Sequence, residues 1–130
     1  MTYKDVEKFL KSLKNTTMVV QWGDHHVYKI GGKVFAIVGG SGDAAPGLTF
    51  KAGEPSFDIL TQQRGIIPAP YMARNKWVTL ESLSALKDRE LKAYLERSYR
   101  MIAAGLTKKL RVSLGFEEAP KTTRAKKKKA

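Results

Sequence analysis

The run Ile66-Ile67-Pro68-Ala69-Pro70-Tyr71 restricts the fold more than any other stretch of this sequence. Each proline fixes its own φ and pushes the residue before it out of the helical region, so this segment is stiff and extended. Upstream, Glu54-Pro55 reads as the opening of a short helix, since proline suits the first helical position and Glu54 and Asp58 set negative charge at the positive end of the helix dipole. Phe57 and Leu60 are its expected buried residues, and Arg64-Gly65 is its expected stop. Downstream, Lys76-Trp77-Val78-Thr79-Leu80 is a strand with Trp77 and Thr79 on one face and Lys76 and Val78 on the other.

The remaining chain supplies partners for that strand. Val6, Phe9, Leu10 and Leu13 repeat at helical spacing within residues 3–14, leaving Lys8, Lys11 and Lys14 on the solvated side. Met18 to Gln21 favours strand, and Trp22-Gly23-Asp24 breaks it before Val27 to Ile30 resumes. Gly31-Gly32 between apolar runs predicts a two-residue hairpin, because the primed turns need positive φ. The return strand is Lys33 to Val38, and Leu48 to Lys51 completes a meander. Gly39-Gly40-Ser41-Gly42-Asp43 lacks the Gly-Lys-Ser/Thr ending of a phosphate loop and reads as a turn. Leu91, Tyr94, Leu95, Ser98, Tyr99, Ile102, Ala103 and Leu106 keep helical period over about residues 88–112, with Asp88 as the expected N-cap. Lys108, Lys109 and Arg111 then fall where a helix C-terminus favours cations. The expected class is α+β: an antiparallel sheet packed on one face by an N-terminal helix and a long C-terminal helix. One domain spans residues 1–115, and 116–130 form a disordered basic tail.

Whole classes of chemistry are absent. Without cysteine there is no disulfide, thiolate zinc site or thiol nucleophile. His25 and His26 are adjacent, so in an extended segment they point to opposite faces and are poor joint ligands for one metal. No serine has a plausible histidine partner, and the aromatic residues follow core periodicities. The expectation is a chain with no enzymatic activity, no metal and no cofactor. No apolar run of about 18 residues could span a bilayer, and the N-terminal stretch carries charges where a signal peptide needs an apolar centre, so a cytoplasmic protein is expected.

Charge is the positive signal. The net charge is +12, and residues 1–115 hold 18 basic against 10 acidic side chains, so the surplus is not confined to the tail. Such a surplus suits a polyanion. Lys29 and Lys33 stand on either side of the hairpin tip, Lys51 ends the meander, and Arg64, Arg74 and Lys76 surround the proline clamp. Lys126, Lys127, Lys128 and Lys129 add a flexible electrostatic tether. These are the candidate nucleic-acid contacts, with duplex DNA bound by its phosphates and a monomer as the expected form. The alternative is a protein-interaction or small-ligand module with an apolar cleft beside Tyr71 and Trp77, in which case the cations would be scattered.

Four segments together, WGDHHVYKIGGKVFAIV (22–38), LTFKAG (48–53), GIIPAPYMARNKWVTL (65–80) and ERSYRMIAAGLTKKLR (96–111), resemble the MmcQ/YjbR family over about residues 3–115. The resemblance implies a frataxin-like fold and a proposed double-wing mode of DNA binding. Thr107 stands where the family usually has proline in an LPKK-type segment, which implies a last helix that continues further here. The iron binding of frataxins is not implied, because it uses an acidic first helix, and here Asp5 and Glu7 sit among Lys4, Lys8, Lys11 and Lys14.

Overall fold

The computed structural model describes residues 1–21, 23–39, 47–70 and 72–116. Trp22, Tyr71, the glycine-rich segment from Gly40 onward and the basic tail with Lys126 to Lys129 lie outside the described residues.

Helix α1 (Tyr3–Ser12) opens with a capping box: the Thr2 side chain accepts from the Asp5 N–H, and the Asp5 carboxylate accepts from the Thr2 N–H. Val6 and Leu10 are its buried residues. The strands β1 (Thr16–Gln21), β2 (His25–Ile30), β3 (Lys33–Val38) and β4 (Leu48–Lys51) form an antiparallel meander. The short helix α2 (Ser56–Thr61), then β5 (Ile66–Pro68) and β6 (Trp77–Leu80), complete a six-stranded sheet of order β1-β2-β3-β4-β6-β5. The long helix α3 (Asp88–Ala104) and a separate α4 (Lys108–Ser113) come last.

Strand alternation assigns the faces. Tyr28, Ala36, Phe50 and Val78 oppose one another across β2, β3, β4 and β6 and join α1 and α3 in the core. The expected α+β layering is found. On the other face, Val19, Val27, Ile37, Thr49, Thr79 and Ile67 form one row across all six strands, with the Thr49 and Thr79 hydroxyls 2.8 Å apart. Trp77 belongs to this second face and is nevertheless 6% exposed.

The hairpin turn has the predicted form: Gly31 and Gly32 take φ of 59° and 81°. Behind it the register slips. Tyr28 opposes Ala36 while Lys29 opposes Val34, so Phe35 is an extra residue on β3, and both Phe35 and Ala36 are fully buried in the core. The ladder between β3 and β4 begins only at Ala36, opposite Phe50. Buried Ser98 of α3 bridges the interruption: its hydroxyl donates to the Phe35 carbonyl (2.6 Å) and accepts from the Lys51 N–H (3.0 Å).

Two helices end differently from expectation. α2 starts after Pro55 and stops at Thr61, before Arg64-Gly65. Gln62 and Gln63 beyond it are exposed, so no burial sustains another turn. The expected helix over 88–112 is two helices. Its N-cap position is Lys87, with Asp88 already helical. At the other end Gly105 closes α3, and Thr107 caps α4 by accepting from the Leu110 N–H at 3.2 Å. Threonine in place of proline therefore starts a new helix instead of extending the old one.

Ser98→Ala leaves two buried backbone groups without a partner, each worth about 1–3 kcal/mol. The expected loss is at least about 2 kcal/mol in urea unfolding, with an unchanged m-value. A loss below about 0.5 kcal/mol would contradict the bridging role.

Candidate nucleic-acid interface

Strand direction separates two ends of the molecule. One, the hairpin end, holds the Gly31-Gly32 turn, the start of β1, the end of β4 and the start of β6. α1 and α3 both run toward it, since the Tyr99 hydroxyl donates to the Lys14 carbonyl (2.5 Å) and a Cβ built on Gly31 would lie 2.6 Å from Leu106. The opposite end carries Asp24 between β1 and β2, Glu81 after β6, and the mixed charges of Lys87, Asp88, Arg89 and Glu90 at the start of α3.

Five predicted cations fall at the hairpin end. Lys29 and Lys51 are half-buried on the face away from the helices, Lys51 directly opposite Trp77. Lys33 opens β3 and is exposed. Arg74 is exposed on a 3₁₀ turn over Ala73–Asn75. Lys76 comes next with a left-handed φ of 66°, and its amine lies 4.9 Å from the Phe57 ring centroid and 3.3 Å from the Glu54 carboxylate. That ion pair is largely solvated and neutralises Lys76 only weakly. Arg64 is elsewhere. It sits in the turn before Gly65, whose carbonyl accepts from the Glu81 N–H (2.8 Å) at the opposite end.

Tertiary structure adds exposed Lys14, Lys108 and Lys109 to the hairpin end. By helical period alone, the last two belong at a helix C-terminus, where cations are favourable. They occupy instead the first turn of α4, where the dipole disfavours them, so helix stability does not explain their presence. The signal that could have found them is Gly105 followed by Thr107, a stop followed by an N-cap. Arg111 serves the fold, since its guanidinium donates to the carbonyls of Leu106 and Ala104 and closes the end of α3. Across six strands the hairpin end is about 24 Å wide, enough to meet several phosphates.

A family model described as YjbR matches residues 11–101. The chain belongs to the YjbR family. Among solved structures, this YjbR chain is similar to the Deinococcus radiodurans protein DR2400, a DUF419 domain, with 21% identity, a TM-score of 0.78 and 93% of each chain covered. A Pseudomonas syringae protein is similar at 20% identity and TM-score 0.64, covering 78% of this chain and 99% of its own. Both likenesses establish the fold alone. No protein of curated function matches the chain.

A cluster of titratable groups in this YjbR fold lies between α1 and β2. The Tyr28 hydroxyl donates to Glu7 Oε1 at 2.5 Å, and His26 Nδ1 lies 2.6 Å from the same oxygen. An ionised carboxylate only accepts, so Nδ1 carries a proton there. Burial pushes the Glu7 carboxyl up, but the two hydrogen bonds outweigh it and hold the carboxyl below its ordinary value; burial and Glu7 together push the Tyr28 phenol far up. A carboxylate held ionised by two donors is a brace for α1, not an acid poised to release a proton. Among the described residues, no three His, Asp or Glu side chains are grouped to hold a metal ion, and no helix is long and apolar enough to cross a membrane.

Because the folded-state pKa of Glu7 is depressed, its stabilising contribution is complete above the unfolded value near 4.5 and is lost as pH falls through the lower folded value. Glu7→Gln should cost about 1–2 kcal/mol at neutral pH, with the deficit closing progressively below pH 4.5. Thermal melts of both proteins across that range check it; a deficit independent of pH would refute the account.

Proposed function

We propose that this protein is a non-enzymatic nucleic-acid-binding protein of the cytoplasm that grips phosphates, those of duplex DNA first, through its hairpin end. The observation that carries this reading is the gathering of Lys14, Lys29, Lys33, Lys51, Arg74, Lys76, Lys108 and Lys109 at one end, from elements far apart in sequence, while at the other end Asp24, Glu81, Asp88 and Glu90 offset Arg64, Lys87 and Arg89. Cations at one end give a directed positive field, which draws a polyanion and releases its counterions when the two meet. A module that recognises apolar ligands has no use for such an arrangement. The β-wings and the proline clamp act together in this reading because the Gly31-Gly32 turn and the Ala69 to Lys76 turn lie at the same end of the sheet. Lys126 to Lys129 serve as a tether that adds charge without geometry. Base stacking by Trp77 is not part of the reading, since a ring only 6% exposed has no face to offer.

Fluorescence anisotropy with a duplex at several salt concentrations tests this. Log K should fall linearly with log salt, and Lys33→Ala combined with Lys108→Ala and Lys109→Ala should flatten the slope by about 0.9 for each phosphate no longer neutralised. Arg64→Ala, at the opposite end, should change neither slope nor affinity. Absence of binding near 50 mM salt, or equal weakening by Arg64→Ala, would sink the proposal.

A further inference from the structure

The two edges of the sheet are finished differently. β5 is three residues long and ends in Pro68, which has no N–H to offer another strand. β1 is six residues long, keeps unbroken register with β2, and contains neither proline nor a charged residue. Val19 and Val20 on it are 42% and 58% exposed. An edge that must stay single is normally shortened, bulged or charged, and this one is none of these.

We propose that β1 docks a second copy of this chain by antiparallel β1–β1 pairing about a two-fold axis at Val19, perpendicular to the sheet. This axis sets Val19 beside the partner's Val19 on one face and Met18 beside the partner's Val20 on the other, so apolar side chains meet on both faces. Charge selects a second copy over a foreign strand. Antiparallel pairing lays the start of β1, just after Lys14, alongside the end of the partner's β1, which leads to the turn carrying Asp24. The same operation points the two basic hairpin ends in opposite directions, which separates the charges that would otherwise oppose association of a +12 chain. The monomer expected from the sequence gives way to a dimer that forms one continuous twelve-stranded sheet, since each copy supplies six strands. One consequence rests on the nucleic-acid reading: the dimer presents its phosphate-binding ends on opposite sides and can join two duplexes.

Sedimentation velocity of the full chain without nucleic acid, from low micromolar to about 0.5 mM protein in roughly 0.5 M salt, tests the pairing itself. The sedimentation coefficient should rise to that of a dimer, and hydrogen exchange of β1 amides should slow about tenfold over that range while β5 amides stay unchanged. Val19→Lys sets two ammonium groups against each other at the axis and should remain monomeric with an unshifted Tm; Val20→Lys, at a more exposed position, should do the same. A monomer at the highest concentration overturns the proposal, as does a dimer that survives both variants with unaltered β1 exchange. Protection of β1 only on addition of an extended peptide of different sequence would give the edge to another partner and equally overturn it. None of these results bears on the salt dependence of duplex binding, so the two readings fail separately.

Discussion

A β-ladder interrupted inside a sheet leaves backbone groups that must find partners, and the position of the long helix in this fold is set by that requirement. Phe35 is the residue too many on β3, and its carbonyl and the Lys51 N–H both end on the Ser98 hydroxyl. Because a buried orphan group costs more than a typical hydrogen bond contributes, α3 is held over β3 and β4 in one register. The bulge also turns Phe35 inward beside Ala36, where its ring meets Tyr99 edge-on with centroids 5.3 Å apart. With α3 placed in this way, Leu106 arrives over Gly31, where the missing side chain leaves room for it. The hairpin tip, the end of α3 and the start of α4 are one packed unit.

The electrostatics of the surface depend on this packing. Lys33 leaves the hairpin and Lys108 and Lys109 open α4, so the meeting of Leu106 with Gly31 brings charges from distant parts of the chain to one end. Several carboxylates are engaged elsewhere: Glu7 by Tyr28 and His26, and Glu96 by Arg100 at 2.7 Å. Among the described residues no ion pair reaches Lys33, Lys51, Arg74, Lys108 or Lys109. Their charge is therefore directed outward.

Much of the fold was legible. The Gly31-Gly32 turn was readable because positive φ at two successive positions is a local demand that glycine meets. The proline segment was readable for the same kind of reason, and Ile66–Pro68 is indeed a strand. The end of the long helix was not. Its apolar period continues through Leu106 and masks the stop and N-cap signal of Gly105 and Thr107; burial of Leu106 against Gly31, with Thr107 capping a fresh turn, divides it into two helices. Nor could the grouping of the candidate cations be read. Arg64 and Arg74 flank the same clamp in sequence, yet β5 carries the chain from one end of the sheet to the other between them.

Residue identities and their local order were enough for the class of the fold, the placing of its hairpin turn and the basic character of the surface, because dihedral preference, hydrophobic period and charge are properties of residues and their near neighbours. Three outcomes needed the folded chain: β6 pairs between β4 and β5, Ser98 is a bridge and not an incidental core serine, and a particular set of cations shares one end. They depend on meetings between segments as far apart as Phe35 and Ser98, or Lys33 and Lys108, and no local preference encodes where two such segments meet.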